Sequence, residues 1–443
     1  MRKMHVQLIH NNRLRLRNRT FLQWVTLLVA FWSVIFKPVS YFPGALSYFK
    51  YVPDAIVFAL LIMTLRRERV RFRRDMMAVV RIAIGFFFYT LLIYMIQYQS
   101  VAYFLWGFRN NFRFYIAFFA FVAYLDERDI TTWFNAMNTL FWVNAALSVF
   151  QFFALGIKGD YLGGIFGILG ASNGYTLCFM SVVLTKSLLD SFAGRTKLTG
   201  SMAKCVVAII VAVMAEMRFF FFVMLFLTLF AAVITNFSIK KLVYILLALG
   251  ALVLGASVLA DMFDFQGFFT REELWLTATQ ENYSSKGDVN RLTAIGSIST
   301  RLDMTLFERL FGYGLGNCDT SAFPICNTPF FVKYGHWHYH WFVSSMIFLE
   351  TGYVGLVIYT LFILACLVSA YKMNKKEQSL YAQLSIIISV LCLVLMFYDS
   401  SLRIESGYMM YFVLALPFMR RDSKGRRSTP LTINEKEVRR YEQ

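Results

Sequence analysis

Residues 240–260 read KKLVYILLALGALVLGASVLA, with no charge after the two lysines. A helix crosses the hydrocarbon of a bilayer with about 17–25 apolar residues. In that medium every backbone N–H and C=O must be satisfied within the protein, so only helices and closed barrels persist. Barrel strands alternate apolar and polar residues; this run does not. Similar runs recur at 20–36, 51–65, 78–98, 101–125, 133–156, 172–190, 201–216, 219–236, 341–371, 379–398 and 405–419. The fourth contains GFRNN (107–111), where a break into a short helix plus a span is expected. The chain therefore reads as an all-α integral membrane protein with about 12 transmembrane helices.

Composition agrees. The 443 residues are 58% hydrophobic, above the roughly 45–50% of soluble domains. The length of two or three soluble domains is overridden, and one polytopic membrane domain is expected. The formal charge of +18 does not point to nucleic acid, because the cations sit between the apolar runs, where they set orientation. The opening MRKMHVQLIHNNRLRLRNR is too polar for a cleavable signal and has no small-residue cleavage site. It reads as a basic anchor on the cytoplasmic side.

Twelve crossings place both ends on one side. The connections assigned to the cytoplasm then hold 29 Lys and Arg, and the opposite set holds 13, in the sense expected for cytoplasmic loops. The layout is a basic cytoplasmic segment 1–19, spans 1–9 in 20–260, a periplasmic loop 261–340, spans 10–12 in 341–419 and a cytoplasmic tail 420–443. A loop of that length is usually functional or internally structured. Within it, Leu292, Ile295, Ile298, Leu302, Leu306 and Leu310 recur at helical spacing, which predicts one amphipathic helix over 290–310 capped by Asp288 or Asn290. Cys318 and Cys326 share the loop and can pair if this face is oxidising.

Ionisable groups at membrane depth are functional suspects. Arg218, in VAVMAEMRFFFFVML, falls at the tip of a tight helical hairpin. It reads either as an interfacial side chain snorkelling to headgroups or as an anion ligand facing a cavity. Arg291 opens the amphipathic segment, where helix N–H groups and a guanidinium together suit phosphate; a plain surface residue is the alternative. Arg109 and Arg113 share a helix face and read as a second anion clamp or as anchors.

Three of the five histidines fall in YGHWHYHW, at His336, His338 and His340. On a helix, His336 and His340 would share one face. No HExxH is present and no carboxylate sits at ligand spacing, so no metal or other cofactor is expected. The readings left are a tryptophan-rich interface and an imidazole acting as general base. Glu350 lies deeper in the following run, placed to hold a helix end or a neighbouring arginine, and Gly352 and Gly355 permit close helix packing. GYGLG (312–316) lacks the GK[ST] ending of a nucleotide loop and reads as a turn.

This arrangement resembles the bacterial O-antigen ligase and polymerase superfamily of C-type glycosyltransferases. Its members have about 12 spans, a large late periplasmic loop and outward arginines. In the loop an arginine precedes a helix, then come a G-x-G turn and a histidine leading into a span with E-x-G-x-x-G. Here those features are Arg218, Arg291, GYGLG, the histidine triplet and ETGYVG (350–355). The likeness covers most of the chain in architecture and residues 216–356 in motifs. The residue after the histidine departs from the family's Asn, Ser or Gln, which leaves His338 and His340 as equivalents.

The resemblance implies an inverting glycosyltransferase of the inner membrane acting on undecaprenyl-pyrophosphate-linked glycan, with no cofactor and no nucleic acid. Arg218 and Arg291, with Arg113 and Arg109, would bind the diphosphate. His338 or His340 would take the acceptor proton, with His336 and Glu350 among the substrate-binding residues. Polymerisation of repeat units into O-antigen, capsule or exopolysaccharide is the leading expectation, and chain-length regulator and flippase proteins are the implied partners. Ligation of a finished glycan to lipid A core or protein uses the same residues. A flippase would instead need charges along a through-path and often shows two similar halves, which are absent here; a chemically inert assembly protein would leave Arg218 and the histidines unexplained.

Overall fold

The computed structural model describes residues 20–40, 44–66, 74–168, 170, 172–235, 239–263, 270–282, 287–321 and 323–419. The basic segments 1–19 and 420–443 and most of RRERVRFRR lie outside them. Among the described residues there is no strand; an isolated antiparallel bridge joins Asn282 and Val289. The helices are α1 (Phe21–Ser40), α2 (Val52–Arg66), α3 (Met77–Gln97), α4 (Val101–Tyr124), α5 (Glu127–Leu155), α6 (Ser172–Phe192), α7 (Leu198–Met214), α8 (Arg218–Ile234), α9 (Ile239–Phe263), α10 (Arg271–Thr279), α11 (Ala294–Arg301), α12 (Leu306–Phe311), α13 (Pro329–Tyr334), α14 (Val343–Glu377), α15 (Leu380–Tyr398) and α16 (Ser406–Ala415).

Each of the twelve apolar runs coincides with a helix. Among the described residues, six helical segments are long and apolar enough to cross a membrane: Tyr48–Arg66, Arg74–Gln97, Glu127–Leu155, Lys241–Phe263, Val343–Glu377 and Leu380–Tyr398. Shorter apolar helices join them at Phe21–Phe36, Leu198–Met214, Arg218–Ile234 and Ser406–Phe418. The protein is thus an all-α chain built for a membrane.

The bundle forms around α16. Its residues from Ser406 to Ala415 are apolar on nearly every side and all buried, as expected of a helix enclosed by others. Helices α1, α4, α6 and α15 enclose it. Lipid tails are as apolar as leucine, so packing rather than dehydration holds such helices together. Interlocked rings provide that packing: Tyr115 lies 4.4 Å from Phe362 edge-on, and Trp133 lies 4.4 Å from Phe412.

Three local expectations are corrected. The fourth run does not break at GFRNN; α4 is continuous. Gly107 is there for close approach, since a Cβ on it would meet the backbone of Leu315 and Gly316. The 290–310 segment is not one helix. It divides into α11 and α12 at Asp303, whose φ of 47° is left-handed, and a capping box of Thr305 and Glu308 starts α12. Asp288 and Asn290 do not cap α11; Thr293 holds that position. Burial follows the division: Ile298 is enclosed while Leu292 and Leu306 are exposed. Finally, the histidine segment is two single turns, Gly335–Trp337 and Tyr339–Trp341, joined by a left-handed His338 at φ 53°. His336 and His340 therefore share no helix face.

Helix α14 is kinked at Gly352 (φ 65°, ψ −171°). The GYGLG turn docks on that kink. Tyr313 N–H donates to the Leu349 carbonyl (2.8 Å) and Gly314 N–H to that of Glu350 (3.0 Å). Gly312, Gly314 and Gly316 all have positive φ, conformations that favour glycine because it has no Cβ. The turn is thereby wedged between α14 and the Gly107 face of α4.

Candidate functional site

Two polar clusters lie where the long loop closes over the bundle. The first is a buried ionic lattice. Arg113 is 3% exposed in its side chain. Its Nη1 donates to Asp54 (3.2 Å) and Glu405 (3.4 Å), and its Nη2 to the Arg403 carbonyl (2.8 Å). Arg109, one turn earlier, donates from Nε to the same Asp54 carboxylate (2.7 Å). The Arg109 guanidinium carbon also lies 4.8 Å from the ring centres of both Tyr51 and Trp106. Tyr408 donates to Asp54, and Tyr175 to Glu405, each at 2.7 Å.

The lattice continues at Glu350, which has no exposed side-chain surface. It accepts from Gly316 N–H (3.0 Å), Asn111 Nδ2 (3.2 Å) and Arg403 Nη2 (3.3 Å). Arg403 also reaches Asp319 (3.0 Å), which takes a further bond from Asn110 (2.6 Å). Buried ions persist where partners and hydrogen bonds replace their water. Here each carboxylate has at least two donors. Of the two readings of Arg109 and Arg113, clamp or anchor, the geometry shows both side chains closed on the protein's own Asp54, where they hold α2 to α4. Glu350 holds both the glycine turn and an arginine.

The second cluster reaches the surface. Arg218 is the first residue of α8, after a tight turn in which Glu216 has a φ of 53°. The Arg218 Nη2 lies 2.9 Å from Glu216 Oε1, with both side chains more than a quarter exposed. The next residue, Phe219, stacks on Tyr398 with ring centres 3.8 Å apart and planes at 17°. Arg291 lies with its guanidinium carbon 4.5 Å from the centre of that same Tyr398 ring. The hairpin and the late loop, 73 residues apart in sequence between these arginines, therefore meet on one tyrosine. The adjacent Asp399 is half-buried, and the loss of solvent around it pushes its carboxyl up to about 6; its bonds to Ser401 and the charge of Arg291 oppose that shift.

Asp288 sits three residues ahead of Arg291. Its Oδ1 lies 2.7 Å from His338 Nδ1. The His338 ring stacks on Trp341 at 4.1 Å and 21°. His340 is held differently. Its Nδ1 is enclosed with no hydrogen-bond partner among the described residues, and its ring meets Phe331 edge-on at 5.3 Å. Burial, helped by the neighbouring His338, pushes the His340 imidazole down to about 4. His336 is exposed and touches the Trp337 ring.

The thiols do not pair: Cys318 is buried and Cys326 half-buried, and both are free. The Cys318 carbonyl instead accepts from the Tyr339 hydroxyl (2.7 Å).

The structure thus brings Phe219 of the Arg218 hairpin and Arg291 onto Tyr398, pairs His338 with Asp288, and sets Arg109, Arg113 and Glu350 in the lattice. Sequence reasoning missed Asp288, Tyr398, Arg403, Glu405, Asp54 and Asp319 as partners. A signal existed for two of them, since Arg403 and Glu405 lie in SLRIES (401–406), at the entry to the last apolar run, and intramembrane charges demand partners. No protein-family model and no curated protein sequence matches this chain.

Proposed function

We propose that this protein is an inverting membrane glycosyltransferase that moves a glycan from a lipid diphosphate to a sugar hydroxyl. In this reading twelve helices cross a bacterial inner membrane, both termini face the cytoplasm, and the 261–340 loop faces the periplasm. The donor is undecaprenyl-diphosphate-linked oligosaccharide and the product a polymer of repeat units. The observation that carries the reading is the meeting of Arg291 and the Arg218 hairpin on Tyr398, in the same loop turn as the carboxylate that holds His338.

The chemistry follows from those groups. Two arginines on segments that meet at Tyr398 suit a diphosphate, and in this reading they stabilise the charge that grows on it as the bond to the anomeric carbon breaks. An imidazole takes the proton of the attacking hydroxyl. The lipid diphosphate is already an activated leaving group, so the reaction requires no nucleotide sugar. The lattice of Arg113, Asp54, Glu405, Arg403 and Glu350 serves as the rigid floor under the loop.

The test is transfer in vitro from the diphosphate-linked oligosaccharide, read as a product ladder on a gel, alongside the amount of protein in the membrane fraction. Arg218→Ala and Arg291→Ala should leave membrane abundance intact and abolish the ladder. Normal product from both variants would reject the proposal. A single transfer to lipid A core instead of a ladder would assign the ligase reaction. Lipid movement across the bilayer with no new bond would assign a flippase.

A further inference from the structure

We propose that Asp288 is a positioning residue for His338, fixing the imidazole with its proton on Nδ1 and its Nε2 open to an acceptor hydroxyl. The inference rests on the glycosyl-transfer reading for the reaction, and on geometry alone for the pairing. A carboxylate facing one ring nitrogen draws the proton to that nitrogen and leaves the other as a lone-pair acceptor. The Asp288 side chain is 8% exposed and that of His338 is 35% exposed, so the pair has a closed end and an open end.

The surroundings hold this pair from both sides. On the aspartate side, Arg301 Nη1 donates to the Gly287 carbonyl (2.7 Å). Val289 N–H donates to the Trp337 carbonyl (3.0 Å). The residues flanking Asp288 are therefore tied, one to α11 and one to the histidine segment itself. On the histidine side, His338 has a left-handed backbone, which costs a residue with a Cβ about 1 kcal/mol or more. Two turn bonds hold it there: His338 N–H to the Gly335 carbonyl and Trp341 N–H to the His338 carbonyl, each 3.0 Å. The Trp341 ring then lies along the imidazole, leaving little freedom in either torsion.

This geometry separates two histidines that the sequence treats alike. His340 has no carboxylate on its Nδ1, and that nitrogen is enclosed. His338 has the carboxylate, the ring stack and the open edge. In the reaction, the acceptor oxygen forms a bond to the donor's anomeric carbon as its proton passes to His338 Nε2. The bond from that carbon to the diphosphate breaks, and the diphosphate leaves with the electron pair. The imidazolium formed is stabilised by Asp288 and later loses its proton to solvent.

The experiment is nitrogen-15 NMR of histidine-labelled full-length protein in lipid nanodiscs, with the His338 signal assigned by its loss in His338→Gln. Wild type should show Nδ1 protonated and Nε2 unprotonated at pH 7.5. Asp288→Asn should shift the proton toward Nε2. It should also lower kcat about 10²–10⁴-fold, the range for a general base or its tautomer, with the acceptor KM within about three-fold. Asp288→Glu should recover part of the loss. A wild-type His338 protonated on Nε2 overturns the proposal whatever the activity, and so does Asp288→Asn with unchanged kcat. If Asp288→Asn does not fold, the wild-type tautomer alone decides. Wild-type protein with the expected tautomer but no transfer would sink the glycosyltransferase reading and leave the pairing standing.

Discussion

Arg291 carries its guanidinium carbon 4.5 Å from the centre of the Tyr398 ring. A cation over an aromatic face is worth about 0.5–2 kcal/mol, and here the ring also receives Phe219 from the α7–α8 hairpin. Tyr398 therefore joins the two chain segments whose arginines are proposed to bind the diphosphate. Tyr398→Leu should raise the donor KM about 3–30-fold, the kinetic equivalent of that energy. Tyr398→Phe should recover most of the loss, because it retains the ring. Steady-state kinetics with the lipid-linked donor checks both; equal defects in the two variants would assign the effect to the hydroxyl instead.

Asp54 accepts from Arg109, Arg113 and Tyr408. Removing it leaves Arg113 enclosed without one of its two carboxylates. Breaking a buried pair by deleting one partner costs about 3–5 kcal/mol. Asp54→Ala should lower the thermal midpoint of the purified protein in detergent more than Arg109→Ala does, since Arg109 is more exposed than Arg113. The reverse order would mean that the lattice is held chiefly from the arginine side.

Gly107 faces the Leu315 and Gly316 backbone with no room for a methyl group. Gly107→Ala should push α4 away from the glycine turn and loosen the bond from Gly316 N–H to Glu350. The measurable result is loss of folded protein after detergent extraction, by size-exclusion profile. Gly85→Ala is the control, because nothing lies within 4 Å of the position its Cβ would take.

His340 provides a pH dependence with a definite sign. Burial, then the His338 charge, lowers its pKa from about 6.5 to about 4. Between those values the unfolded chain binds the proton and the folded protein does not. Stability from this group is therefore complete above about pH 6.5 and falls as the pH drops toward 4, by up to about 3 kcal/mol. Thermal midpoints measured from pH 7.5 to pH 4.5 should decline, and His340→Gln should flatten that decline. A His340→Gln profile parallel to wild type would place the acid sensitivity elsewhere.

Cys326 gives a test of sidedness. It is half-buried beside the exposed Ile325, whereas Cys318 is fully enclosed. Burial raises both thiol pKa values, so labelling is slow but selective for Cys326. A membrane-impermeant maleimide added to spheroplasts of cells making the protein should modify Cys326 and spare Cys318. Modification only after membrane rupture would put the long loop in the cytoplasm and remove the basis of the proposed function.

The helical architecture was legible in the amino-acid string because hydropathy is a local property. A run such as 240–260 is apolar wherever the rest of the chain goes, and the solvent it requires leaves a helix as the satisfied backbone. The same locality explains why GYGLG reads as a turn and Arg218 as the tip of a hairpin. Amphipathic spacing was a weaker guide. The 290–310 pattern continues through Asp303, but the chain stops the helix there with a left-handed residue and a new cap.

What only the tertiary structure decided is which charges meet. Asp54, Arg113 and Glu405 lie in three separate segments of the chain, yet they share one buried contact set. No local pattern encodes that, because the drive is global: an ion removed from water must find its counter-ion wherever the packing brings one. That requirement directed Arg109 and Arg113 toward the protein's own carboxylates. It also set Asp288 against His338, so that of two neighbouring imidazoles one gained a carboxylate and the other only a ring.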